Sequence, residues 1–138
     1  MPQSHKDRSV LMCNLIESLN EITEKIIGCA IKVHRNLGPG LLESIYENAL
    51  CFELNQINVK YEKQLKIPIV YKGLSLGEYR LDILVENEII VEIKAVNRYD
   101  PVFEAQMLTY LKVTGKKLGL LMNFNVPVLK NGIKRIIL

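Results

Sequence analysis

Between Tyr79 and Val96 the chain reads Tyr-Arg-Leu-Asp-Ile-Leu-Val-Glu-Asn-Glu-Ile-Ile-Val-Glu-Ile-Lys-Ala-Val, two apolar strands joined by a turn. The second, Ile89 to Val96, is apolar on both faces except at Glu92 and Lys94, the pattern of a strand inside a covered sheet. Burying an ionised group is costly unless it is paired or bound to a metal. These two charges therefore mark either an exposed face or a site.

Side chains alternate along a strand, so Glu92 and Lys94 share a face with Ile90 and Val96, and Asp82 shares one with Arg80, Leu84 and Glu86. Asp82 joins Glu92 only if the connection holds an odd number of residues, such as Glu86-Asn87-Glu88. A two-residue Asn87-Glu88 turn would send the two carboxylates to opposite faces. The odd connection sets Asp82 across from Glu92 with a lysine alongside, the outline of a hard-cation site. The plainer alternative is a wet outer hairpin. Against it, Leu84, Ile90 and Val96 would then be exposed too, whereas a partly covered cleft accommodates apolar and charged neighbours together.

A chain of 138 residues with 49% hydrophobic and 24% charged content is one globular domain's worth. Residues 1–17 lack a clear period and read as a loose or partly helical arm before a single domain at 18–138. No run approaches the roughly 20 apolar residues of a membrane span, and the N-terminal residues lack a signal-peptide core, so a cytoplasmic address is expected. Cys13, Cys29 and Cys51 lack zinc-like spacing and read as reduced thiols, two of them packed in helices. The net charge of +3 permits a polyanionic partner without demanding one. Lys112, Lys116, Lys117, Lys130, Lys134 and Arg135 make the last third basic, each most simply a solvated residue.

A helical pattern is expected from Ser18, which has capping-box spacing to Glu21, with Ile22, Ile26, Cys29, Ala30, Val33 and Leu37 as its apolar stripe. Gly38-Pro39-Gly40 should end it. His34 beside the stripe reads as a partly buried structural histidine or a surface one rather than a metal ligand, lacking a partner at ligand spacing. A second helix is expected over Leu41 to Asn55, burying Leu42, Ile45, Ala49 and Phe52, with Glu43 in its first turn and Tyr46 and Glu47 on the same side as Glu43. Asn58 to Tyr61 and Gln64 to Tyr71 read as extended, with Lys72-Gly73 turning into the central hairpin. Asp100-Pro101 opens a helix to Thr114, ended by Gly115, on which Gln106 and Tyr110 share a face. Leu118 to Asn123 completes a βαβ unit, and Ile133 to Leu138 follows an Asn131-Gly132 turn. The expected class is α/β, a mixed central sheet flanked by helices.

Gly40-Leu41-Leu42-Glu43-Ser44-Ile45-Tyr46, then Asp82, Glu92-Ile93-Lys94 and Gln106 to Tyr110 resemble, in order and spacing, the PD-(D/E)xK phosphodiesterase superfamily. More closely the chain looks like its small GxxExxY proteins, named for the pattern at Gly40, Glu43 and Tyr46. The likeness runs from about residue 20 to the C-terminus, with Leu81 where a proline usually precedes the aspartate. It implies a restriction-endonuclease-like core and hydrolysis of phosphodiesters, with DNA as the expected substrate.

Phosphodiester hydrolysis needs a metal to neutralise the phosphate, an in-line deprotonated water and a cation near the developing charge. The resemblance implies Mg²⁺ or Mn²⁺ on Asp82, Glu92 and the main-chain carbonyl of Ile93, with Glu43 reaching in. Lys94 would orient or deprotonate the water or stabilise the phosphorus centre, and Gln106 would position the site or the substrate. Tyr46 and Tyr110 would pack beneath the site or stack on a base, and Arg80 would contact substrate. A homodimer is compatible with so small a chain, and no membrane partner is expected. The alternative is a catalytically silent nucleic-acid-binding or protein-interaction module that keeps the fold.

Overall fold

The structure, a computed structural model, describes residues 5–138, with side chains from Arg8 onward. Three helices and five strands run in the order α1 (His5–Leu37), α2 (Glu43–Gln56), β1 (Tyr61–Tyr71), β2 (Leu74–Val85), β3 (Ile89–Lys94), α3 (Val102–Thr114), β4 (Leu118–Asn123) and β5 (Ile133–Ile137). The strands form one mixed sheet ordered β1-β2-β3-β4-β5. Only β3 and β4 are parallel, joined through α3 as the βαβ unit requires. The expected α/β class with helices flanking a mixed sheet is therefore what the chain adopts.

Alternation divides the core in two. Ile83, Val85, Ile89, Val91, Ile93, Leu120 and Met122 pack with α1 and α2, while Leu84, Ile90 and Leu121 pack with Met107 and Leu111 of α3. The contact between α3 and β4 is close enough that any Cβ on Gly119 would run into the Met107 side chain.

Several boundaries differ from expectation. α1 begins at His5 rather than Ser18, so the Ser18–Glu21 pair lies inside a continuous helix. Part of the expected arm is thus helical, although Arg8 to Ser18 remain exposed; residues 1–4 of it lie outside the described residues. α1 ends where Gly38, at φ +68°, donates its N–H to the His34 carbonyl at 2.8 Å. Asn58 sits in a turn, and β1 starts at Tyr61 and continues as one strand to Tyr71, with irregularities at Gln64 and between Ile69 and Val70. A short 3-10 turn, Leu129–Gly132, precedes β5.

The buried face of α2 is also not the expected one. Leu42, Ile45 and Phe52 are exposed, and Tyr46, Glu47, Leu50, Cys51 and Leu54 face inward. Both Ile45-Ala49-Phe52 and Tyr46-Leu50-Leu54 have helical spacing, so apolarity alone does not choose between them. Tyr46 supplies the asymmetry: its hydroxyl donates to the Gly38 carbonyl at 2.6 Å and accepts from the Leu41 N–H at 3.1 Å, and its ring stacks on Phe124 at 4.6 Å. Cys29 and Cys51 are buried thiols and Cys13 is exposed. His34 is structural, with Nε2 2.8 Å from the Val126 carbonyl oxygen.

Candidate active site

The connection between β2 and β3 is the odd one. Ile83 pairs with Val91, Leu84 with Ile90 and Val85 with Ile89, leaving Glu86-Asn87-Glu88 as the turn. Glu86 and Asn87 both take positive φ, 51° and 56°. One step beyond the last pair, the same register sets Asp82 opposite Glu92.

Here the main-chain ladder gives way to side chains. The Asp82 N–H donates to Glu92 Oε1 at 3.0 Å, and the Ile93 N–H donates to Asp82 Oδ2 at 2.8 Å. Each carboxylate spends one oxygen on the opposite backbone and keeps the other. Strand alternation breaks at this level too. Leu81 and Leu84 both pack toward α3 while Ile83 packs toward α1 and α2. On the neighbouring strand Lys63 faces Ile83 and Leu65 faces Leu81, and Gln64 between them is left-handed at φ +52°. Tyr61 and Leu65 accordingly fall on opposite faces. The kink turns Asp82 into the gap between the strands, so it does not simply share a face with Leu84.

Glu92 is only 5% exposed. Burial first, and the Asp82 carboxylate second, push its pKa from the usual 4.5 up to about 8; the Asp82 N–H and Lys94 pull it down by less. Among the described residues no Lys or Arg is ion-paired with Asp82 or Glu92. The Lys94 ammonium lies instead over the Phe103 ring, 4.5 Å from its centroid.

The first turns of α2 close one side. Glu43, Ser44 and Glu47 line a cleft of about 270 Å³ together with Gln64, Asp82 and Ile93. Glu43 is exposed at the mouth and Glu47 is buried. Burial, then the Asp82 charge, raises the Glu47 pKa, partly offset by the Gln64 amide, which donates to Oε1 at 2.7 Å, and by Lys63, 3.9 Å from Oε2. Neither Glu47 nor Gln64 was expected in the site. The available signal was the four-residue spacing from Glu43 to Glu47, which puts both on one side of α2.

The helix α3 borders the other side. Tyr110 is half-buried, meets Tyr79 edge-on at 5.4 Å, and has its pKa raised by burial and then by the Glu92 and Asp82 charges, which places its hydroxyl near the pair. Gln106 lies on the same helix but is exposed, and among the described residues it makes no hydrogen bond to either carboxylate. Arg80 is likewise exposed and reaches neither. Tyr46 is fully buried with its hydroxyl satisfied, so of its two expected roles packing is the one the structure leaves; a base has no access to it. The structure thus gathers Asp82, Glu92, Ile93, Glu43, Glu47 and Tyr110, with Lys94 turned aside.

The donor set suits a hard cation. Two carboxylates and the Ile93 carbonyl offer oxygen donors, and Mg²⁺ retains waters, so few protein ligands would suffice. Among the described residues no three or more His, Cys, Asp or Glu side chains converge as a ready-made cage. A buried glutamate that holds its proton to about pH 8 in the absence of a cation is a group whose charge a metal would compensate.

No curated protein matches the chain, and no solved structure matches it. Residues 20–136 match the family model of the PD-(D/E)XK nuclease superfamily, a span that contains α2, the kinked β2, β3 and α3. That match spans most of the chain, and the chain belongs to the PD-(D/E)XK nuclease superfamily.

Proposed function

We propose that the protein is a divalent-metal-dependent nuclease whose substrate is DNA. The observation that carries this is the reciprocal lock between Asp82 and Glu92, the first half-buried on the cleft and the second buried, with no Lys or Arg among the described residues ion-paired to either. PD-(D/E)XK nucleases generally use divalent metals. Asp82, Glu92 and the Ile93 carbonyl would hold Mg²⁺ or Mn²⁺, which when bound would neutralise phosphate charge and lower the pKa of water. Glu43 and Glu47 add negative charge on the α2 side of the cleft. Lys94 would bring an ammonium to a reacting phosphate. Tyr110 borders the pair as a wall, and Gln106 and Arg80, both exposed, stay free to meet substrate. The Gly40, Glu43, Tyr46 spacing supports a narrower GxxExxY membership.

The reading extends to a cytoplasmic protein acting as a homodimer. Among the described residues no helix is long and apolar enough to cross a membrane. Exposed Leu11, Met12, Leu15 and Ile16 on α1 offer an apolar face for a second copy. A second functional reading, a silent module that binds without cleaving, is favoured by one feature: Lys94 rests on Phe103 rather than on the carboxylates.

Cleavage of single-stranded, duplex and branched DNA and of RNA, with Mg²⁺ or Mn²⁺, decides between them. Cleavage should require metal and be lost in Lys94→Ala and Asp82→Ala. Activity surviving both replacements would point to a contaminant, and binding without cleavage by the parent chain would favour the module. Millimolar Mn²⁺ should also raise the melting temperature by binding the folded state, an increment that Asp82→Asn removes.

A further inference from the structure

Lys94 is two residues past Glu92 on β3, so alternation sends both side chains toward α3. A lysine on a flexible stem beside a buried carboxylate and a half-buried one has an obvious destination. Its ammonium is nevertheless in no ion pair among the described residues and sits 4.5 Å over the Phe103 ring. That ring is itself held. Tyr99 meets it edge-on at 5.6 Å and 86°, the Lys134 ammonium lies 5.0 Å over the Tyr99 ring, and Lys134 is bonded to Glu104 at 3.2 Å. The series ties the end of β3 to the first turn of α3 and to β5.

The position of the ammonium matters for what the carboxylates can accept. Bonded to Asp82 or Glu92, it would occupy the oxygens that the backbone leaves over and would repel an incoming cation. The face of an aromatic ring attracts an ammonium through its quadrupole and uses no acceptor oxygen.

We propose that Phe103 is a positioning residue: its ring seats Lys94 off the carboxylates and thereby keeps Asp82 and Glu92 open to a divalent cation. The purpose of the seat rests on the nuclease reading above. The seat itself belongs to the metal-free chain and is tested without activity.

The test is Mn²⁺ titration calorimetry on the full chain and on Phe103→Leu, Phe103→Tyr, Lys94→Met and the Phe103→Leu/Lys94→Met double variant. Phe103→Leu should bind Mn²⁺ about fivefold more weakly, the scale of one modest cation–π contact. Phe103→Tyr, which keeps the ring, should bind as the parent does. In the Lys94→Met background the same Phe103→Leu change should have no effect, because no ammonium is left to fall onto the carboxylates. Equal weakening in both backgrounds would mean that Phe103 only supports the fold, and would overturn the proposal.

A separate reading comes from NMR of the metal-free protein. The Lys94 ε-methylene protons should be shifted upfield by the ring and return to ordinary values in Phe103→Leu; ordinary values in the parent would also overturn the proposal. A shifted Lys94 signal together with no Mn²⁺ uptake by the parent would overturn the metal-dependent reading, and the purpose given to the seat with it, while leaving the lysine-on-ring contact in place.

Discussion

The two ends of the β2–β3 hairpin use the same pair of strands in opposite ways. At the turn end three successive residue pairs form a regular ladder, and all six side chains are buried and apolar. One step along, at Asp82 and Glu92, the ladder stops and carboxylates accept the N–H groups of the opposite strand. The turn end gains stability from burial and regular pairing. The open end sets Glu92 where burial and the Asp82 charge raise the free energy of its charged form, a cost that a proton or a cation offsets. Sheet geometry that favours folding and sheet geometry that creates a site are thus separated by a single residue step.

The largest effect expected from this contrast is at the turn end. Ile90→Ala, at a site with 0% exposure, should cost about 3 kcal/mol in urea unfolding. Glu92→Gln keeps an oxygen for the Asp82 N–H and should leave metal-free stability at pH 8 unchanged or higher. Equal losses in the two variants would break the contrast.

The second expectation is a pH dependence. Folded Glu92 titrates at about 8 and the unfolded residue near 4.5, so between those values the folded state holds a proton that the unfolded state has released. The stabilisation is complete below about pH 4.5 and is lost as pH rises through about 8. Glu47, raised in the same direction, adds to the slope. Melting temperature measured across this range without metal should fall, and Glu92→Gln should flatten the curve.

A smaller effect should follow from Asn123→Ala. Asn123 takes the Val96 N–H on Oδ1 and gives Nδ2 to the Val96 carbonyl, both at 3.0 Å, so a side chain continues the β3–β4 pairing past Lys94. Its loss should cost about 1–2 kcal/mol and loosen the open end selectively, read as faster hydrogen exchange at Val96 than at Val91. The smallest effect belongs to Asn87→Gly. Asn87 already holds φ +56°, and asparagine tolerates that region, so stability should change by less than about 0.5 kcal/mol. A larger change would mean that the turn is more than a connector.

Much of this hairpin was legible in the sequence, because Asp82 and Glu92 can meet only across an odd turn and Glu86-Asn87-Glu88 supplies one. Lys72-Gly73, the Asp100 side chain accepting the Val102 N–H at 3.0 Å, and the left-handed Gly115 at the end of α3 were legible for the same reason: each is a local conformational demand met by a local residue type. What could not be read depended on distant partners. The face of α2 is chosen by Tyr46 reaching Gly38 and Phe124, and Glu47 enters the cleft as a result. The kink at Gln64 and Asp82 reverses alternation on two strands at once, and neither strand carries a glycine at that level to announce it. The start of α1 was missed because Arg8 to Ser18 are exposed, leaving no one-sided apolar stripe to find.

Because strand order follows chain order, each strand is laid against the one synthesised before it, and none must slip between two already in place. Assembly of the sheet can then proceed by accretion outward from the β1–β2 ribbon, a route with short closing loops at every step except the α3 crossover. The acidic pair is complete once the third strand is down, before the last two exist as structure. Pulsed hydrogen exchange during refolding should accordingly protect Val85 and Val91 ahead of Arg135, and the reverse order would exclude this route.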